Sequence, residues 1–161
     1  MQFAIREKFW SWGDDYFIKD MNGTSVYRVR GKVFSLGAKL SFQDTNENEL
    51  AFISQRMFSW KPCYDIHRDG QHFARIVKEF SWFNQSFTLD VPGPNDYSIN
   101  GKFWRHEYEF QRGGVRVAVV SKKRWSLTDT YGIDIVDSED AVSILCACIV
   151  IDQVLHDGDR D

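Results

Sequence analysis

Ala141-Val142-Ser143-Ile144-Leu145-Cys146-Ala147-Cys148-Ile149-Val150-Ile151-Asp152-Gln153-Val154-Leu155 is the stretch on which the fold turns. Ser138, Glu139 and Asp140 precede it, a capping serine with acids in a first turn, so a helix is expected over about 139–155. Only Ser143, Asp152 and Gln153 interrupt its apolar run. A helix apolar on every face has to be buried on every face. A membrane span needs about 20 apolar residues, and this run is shorter and carries Asp152. Its burial therefore has to come from the rest of the chain.

Upstream of the helix the chain pulses. An aromatic followed by serine recurs about every 23 residues, at Trp10-Ser11-Trp12, Phe34-Ser35-Leu36, Phe58-Ser59-Trp60, Phe80-Ser81-Trp82 and Trp125-Ser126-Leu127. Phe103-Trp104-Arg105 is a weaker copy. Six such units, each two strands and a turn, make roughly twelve strands. The turns carry their own signals. Asn22-Gly23, Asp69-Gly70 and Gly113-Gly114 supply the positive φ of primed hairpin turns, and Asn46-Glu47-Asn48 and Pro92-Gly93-Pro94-Asn95 mark two more. The pulse aromatics are expected at equivalent positions lining the interior against the helix, with the serines bonding backbone at strand ends.

Strands over about 3–136 and a helix after them make one domain spanning 1–161. Twelve strands ~4.8 Å apart and tilted ~40° close on a radius near ~12 Å, which leaves room for a helix about 10 Å across. The fold class is thus mostly β, a closed antiparallel barrel around a central hydrophobic helix.

Composition narrows the function. The chain is 43% hydrophobic and 16% aromatic, with a net charge of −3, so no global field draws it to nucleic acid and no nucleic-acid partner is expected. Cys63, Cys146 and Cys148 form no disulfide framework, and the N-terminus has no apolar secretory core, which fits a cytoplasmic protein. No phosphate loop or nucleophile elbow is present. His106-Glu107 begins like a zinc-protease motif, but Phe110 stands where the second histidine belongs. His67 and His72 straddle a turn without a third ligand. The expectation is a non-enzymatic protein with no metal and no cofactor.

Two basic groups remain as ligand-binding candidates. Arg28, Arg30 and Lys32 alternate along a strand and share a face, where they could hold a phosphate or simply be solvated. Lys122 and Arg124 share a second face beside Trp125, suited to an anionic lipid surface or to a rim that resists strand pairing.

Three stretches resemble the LURP-one-related family: Gly23-Thr24-Ser25-Val26-Tyr27-Arg28-Val29-Arg30-Gly31-Lys32-Val33-Phe34-Ser35-Leu36-Gly37, Ser121-Lys122-Lys123-Arg124-Trp125-Ser126-Leu127-Thr128-Asp129-Thr130-Tyr131-Gly132-Ile133-Asp134-Ile135 and Ile151-Asp152-Gln153-Val154-Leu155-His156-Asp157. The chain looks like a short bacterial-type member. The family is similar to tubby C-terminal domains and phospholipid scramblases, and the resemblance implies a twelve-stranded barrel around a C-terminal helix. It also implies an anionic phospholipid head group, or another phosphorylated ligand, at a membrane periphery. The alternative is a protein-interaction or stress-associated scaffold with a protein partner and no lipid. No tubby ligand residue maps onto a numbered position of this chain.

Overall fold

Strand formation follows the alternation of side chains. In β1 (Gln2–Arg6) Phe3 and Ile5 point inward between exposed Gln2 and Arg6, and in β8 (Gln85–Asp90) Phe87 and Leu89 do the same. The remaining strands are β2 (Asp15–Lys19), β3 (Ser25–Gly31), β4 (Lys39–Asp44), β5 (Glu49–Gln55), β6 (Cys63–Arg68), β7 (Gln71–Phe80), β9 (Tyr97–Lys102), β10 (Glu107–Arg112), β11 (Val115–Ser121) and β12 (Thr130–Ile135). The structure, a computed structural model, describes residues 1–6, 15–31, 36–123 and 129–158. Each strand pairs antiparallel with its neighbours in sequence, and β1 closes on β12 from Gln2↔Asp134 to Arg6↔Thr130. The result is the closed twelve-stranded barrel expected from the repeat.

The closing strands are also stitched by charge. The Met1 ammonium meets Asp137 at 2.7 Å, and Arg6 Nε donates to Asp129 at 2.7 Å. Between β1 and β2 the register holds only Ala4↔Lys19 and Ile5↔Ile18 among the described residues, so this is the shortest ladder of the wall.

All five expected turns are found at one end, although at Asn22-Gly23 only Gly23 has positive φ, in a five-residue connection rather than a primed two-residue turn. Asp69 and Gly70 have φ of 51° and 75°, and Gly113 and Gly114 have 57° and 78°, the left-handed pairs that a two-residue hairpin requires. Asp44 braces the β4–β5 turn by accepting from the backbone N–H groups of Asn46 and Asn48 at 2.8 and 2.9 Å.

Helix α1 (Ala141–Gly158) fills the lumen. Residues Ser143 to Ile151 are buried without a break, and Gln153, Val154 and Leu155 continue the burial. By length and composition this helix could cross a membrane; here the wall residues Phe42, Tyr64, Ile66, Ile76, Phe87, Phe110, Tyr131 and Ile133 share one buried core with it. Fully burying each Ile, Leu or Val contributes about 1.5–3 kcal/mol. Cys146 and Cys148 are free thiols in this packing, and burial pushes both thiols up.

The start of the helix differs from the expectation. Ser138 lies in a turn, and α1 begins at Ala141. Asp140 stands immediately before it, its carbonyl taking the Ile144 N–H at 3.3 Å and its carboxylate accepting from the Ser143 hydroxyl at 2.7 Å. The two acids read as a first turn precede the helix because each binds a wall arginine. Arg112 Nη1 donates to Glu139 at 3.1 Å, beside a Tyr97 hydroxyl bond to the same carboxylate at 2.5 Å, and Arg68 Nη2 reaches Asp140 at 2.7 Å. Farther along, Asp152 accepts from the Tyr131 hydroxyl at 2.5 Å and contacts His106 Nε2 at 3.1 Å, with the His106 ring stacked on Tyr131 at 4.5 Å. The one carboxylate inside the apolar run is thus held by the wall.

Candidate functional site

An up-and-down barrel places alternate connections at opposite ends, so its two ends can be compared directly. One end carries the connections β2–β3, β4–β5, β6–β7, β8–β9, β10–β11 and β12–α1. The charged residues of these connections are Asp20, Glu47, Asp69, Asp96, Asp137, Glu139 and Asp140, with no lysine or arginine, and the adjoining strand ends add Lys19, Arg68 and Arg112 against Asp44, Glu49 and Asp90. At the opposite end the described residues of the connections hold Arg56, Lys61, Arg105, Lys122 and Lys123, against Asp129. Lys39, Lys78 and Lys102 add to it from adjoining strand ends, and Glu79, Glu107 and the helix-end Asp157 oppose them. A chain that is weakly acidic overall is strongly polarised along the barrel axis.

The basic end is also the apolar one. Among the described residues, the large hydrophobic side chains more than four-fifths exposed are Leu36, Phe58, Trp60, Trp82 and Phe83, and all five belong to its connections. Trp104, Met57 and Phe80 are half-exposed or more beside them. Aromatic surface left in water adds nothing to folding, and an apolar cluster of this size marks an interaction site.

The β5–β6 and β7–β8 connections are built rather than slack. The Ser81 hydroxyl donates to the Asn84 carbonyl at 2.5 Å and accepts from the Asn84 N–H at 3.0 Å, closing a turn with Trp82 and Phe83 at its tip. The β5–β6 connection is pinned by Arg56 N–H to the Cys63 carbonyl at 2.9 Å, and Lys78 N–H bonds the Pro62 carbonyl at 3.0 Å. Lys61 Nζ meets Glu79 at 2.6 Å, tying that connection to the end of β7. Gly37, with φ of 79°, lets residues 36–38 lean on Met57, whose sulfur lies 2.5 Å from where a Cβ would stand. A hollow of 400 Å³ lies within the β5–β6 connection, lined by Arg56, Met57, Phe58 and Ser59.

Of the described pulse aromatics, Phe58, Trp60, Phe80 and Trp82 do not line the lumen, contrary to the sequence reading, whereas Phe103 of the weaker copy is buried in the core. Phe58 and Trp60 follow the last residue of β5, Trp82 follows the last of β7, and Phe80 is 62% exposed on the end of β7. The interior is filled instead by Phe42, Phe87, Phe110, Tyr64, Tyr97 and Tyr131 from inward-facing strand positions. Trp10, Trp12, Phe34 and Trp125 lie outside the described residues. Ser81 does bond backbone, as expected of the pulse serines.

The candidate cations are divided by the structure. Arg28 and Arg30 stand on the outer wall of β3, either side of buried Val29. Arg28 is bound by Asp15 and Glu47, the latter at 2.6 Å, and Arg30 Nε lies 3.4 Å from Asp15. The hydrogen bond that Arg28 donates to Asp15 is the main reason the Arg28 guanidinium is held above the usual range. Two arginines thus face two carboxylates, which leaves this pair little surplus charge for a phosphate. Lys122 sits at the basic end, immediately after β11. Lys32 and Arg124 lie outside the described residues.

Other polar clusters are structural in form. Asp65 accepts from Arg75 Nε and contacts His72 Nε2, both at 2.9 Å, and the His67 and His72 rings meet edge-on at 5.6 Å. Among the described residues no group of three or more His, Cys, Asp or Glu is placed to hold a metal ion. An outer-wall groove of 480 Å³ over β1, β11 and β12 is lined by Phe3, Met21, Val119 and Ile133, with Arg116 and Asp134 at its edge.

The carboxylates of these clusters predict how acid acts on the barrel. Burial works against ionising Asp65, but the Arg75 and His72 hydrogen bonds outweigh it and hold the carboxyl below its ordinary value of 3.8. Asp129, through Arg6, and Asp137, through the Met1 ammonium, are lowered too. Groups lowered by folding stabilise fully above the unfolded value and lose that contribution as pH falls through the folded one. Stability in urea should hold level down to about pH 5 and fall below about pH 4. Asp65→Asn should flatten part of that fall; a barrel that gains stability between about pH 5 and pH 3 would contradict the assignment.

A closed antiparallel barrel threaded by its own C-terminal helix, with polarised ends, defines the class of protein. The LURP-one-related family matches residues 1–152, and the chain belongs to that family. It is 30% identical over 162 residues to the uncharacterized protein YxjI of Bacillus subtilis (strain 168), covering 100% of this chain and 98% of that one. Its fold is similar to that of an Arabidopsis thaliana protein solved by X-ray crystallography, with a TM-score of 0.67 at 14% identity, covering 96% of this chain and 90% of the other.

Proposed function

We propose that this chain is a non-enzymatic binding module for anionic phospholipid surfaces, and that it docks through the basic, aromatic end of the barrel. One observation carries the reading: the five most exposed large apolar side chains among the described residues share an end with a surplus of lysine and arginine. Aromatic rings at the headgroup level and cations toward anionic lipid are the two contributions a membrane surface rewards. Each cation near such a surface is worth about 1 kcal/mol, and the acidic end, facing away, keeps the orientation unique. The helix occupies the lumen, where a barrel enzyme would hold its substrate.

Co-sedimentation with vesicles tests this. Binding is expected to vesicles containing anionic lipid and not to purely neutral ones, and it should weaken steeply between about 50 and 200 mM salt as the charges are screened. Binding that ignores both lipid charge and salt would replace this reading with an apolar protein interface, the scaffold alternative. Localisation at the membrane periphery of the cytoplasm goes with the same proposal.

A further inference from the structure

We infer that the β5–β6 and β7–β8 connections form a two-pronged anchor, whose tips enter the bilayer interface when the basic end meets the membrane. The inference rests on the proposed function and adds which residues penetrate and in what orientation.

Phe58 and Trp60 on one prong, and Trp82 and Phe83 on the other, are each at least 94% exposed. Side chains so exposed project away from the barrel end, with Phe58 also bordering the hollow of the β5–β6 connection. A fluid interface takes in such tips without shape complementarity. The pairing of one Phe with one Trp on each prong suits it further: phenyl rings partition below the headgroups, and the indole N–H stays at the polar boundary.

The prongs act together because they are joined. They flank the β6–β7 pair, whose strands run side by side from Cys63↔Val77 to Arg68↔Gln71. The Lys61–Glu79 ion pair and the Lys78–Pro62 backbone bond couple their bases. The Ser81–Asn84 turn fixes one tip, so its ordering precedes membrane contact. At the prong bases stand Arg56 and Lys78, the latter with its ammonium 5.6 Å from the Phe80 ring centre, at the height where lipid phosphates would lie. The barrel axis is then steep to the membrane, with the Asp69-Gly70 turn and its acidic neighbours in water.

An environment-sensitive fluorophore on an introduced cysteine tests the orientation. Ser59→Cys labels a prong and Asn46→Cys labels the opposite end; the native thiols are buried and compete little for the label. Vesicles containing anionic lipid should shift the label at 59 to shorter wavelength, brighten it severalfold and shield it from aqueous iodide, while the label at 46 stays unchanged. Phe58→Ser with Trp82→Ser should weaken vesicle binding by on the order of tenfold per ring while melting as the parent does. Pelleting with vesicles while the label at 59 stays in water overturns the anchor but leaves membrane binding standing, through another surface such as the β3 wall. Absence of pelleting overturns both. Shielding of the label at 59 by raised protein concentration alone overturns the anchor in favour of contact between copies.

Discussion

Gly101→Ala should cost the barrel at least about 4 kcal/mol, placing it among the exceptional single substitutions. Gly101 lies near the end of β9 with φ of 148°, a conformation side chains rarely adopt. Its hydrogen faces the backbone of β10, where a Cβ would stand 2.4 Å from the Glu107 carbonyl oxygen and 2.5 Å from the Tyr108 Cα. Neither atom can rotate away, because Gly101↔Tyr108 is a rung of the ladder. The strain and the clash add, against a total stability of about 5–15 kcal/mol for a domain. Melting should fall by on the order of 10 °C or more. A variant melting within about 2 °C of the parent would show that β9 and β10 do not approach as described.

Ile149→Asp should abolish the folded state. Ile149 is fully buried at the middle of α1, inside the barrel, with apolar neighbours on its own helix before and after it. The substitution removes a burial worth about 1.5–3 kcal/mol and adds an unpaired carboxylate whose desolvation costs several kcal/mol more. Asp152 shows what a charge on this helix requires: Tyr131 and His106 both reach it. Position 149 lies instead within the hydrophobic core. The variant should be insoluble or lack the near-ultraviolet circular dichroism of packed aromatics. A soluble, cooperatively melting Ile149→Asp protein would mean that the helix does not thread the barrel.

The architecture was legible because two of its signals are local. Turn residues at 22–23, 69–70 and 113–114 mark hairpins through backbone φ alone, and an apolar run without a polar face has few places to go. The aromatic pulses were legible as a repeat but not as a location. Hydropathy reads Phe58 as core whether it ends a strand or tips a loop, and only the strand bounds, with β5 ending at Gln55, decide. Ser59-Trp60-Lys61-Pro62 and Ser81-Trp82-Phe83-Asn84 did carry a usable signal, since turn-forming residues enclose the aromatics. The charge polarity was also present in the sequence, but it emerges only when alternate connections are compared rather than read in order. The neutralisation of Arg28 was not legible. Asp15 and Glu47 reach it from β2 and from the β4–β5 turn, and that meeting depends on the register of three strands.

Vesicle affinity measured side by side for two charge variants tests the central claim most directly. One variant carries Arg105→Ser, Lys122→Ser and Lys123→Ser at the basic end; the other carries Arg28→Ser and Arg30→Ser on the β3 wall. With vesicles of mixed neutral and anionic lipid at low salt, losing three end cations should weaken binding by at least on the order of tenfold, at up to about 1 kcal/mol each, with Lys123 contributing least because Glu107 lies 3.5 Å from it. The wall variant, removing arginines already held by Asp15 and Glu47, should bind within about threefold of the parent. The reverse order, with the wall variant failing and the end variant binding normally, would contradict the account.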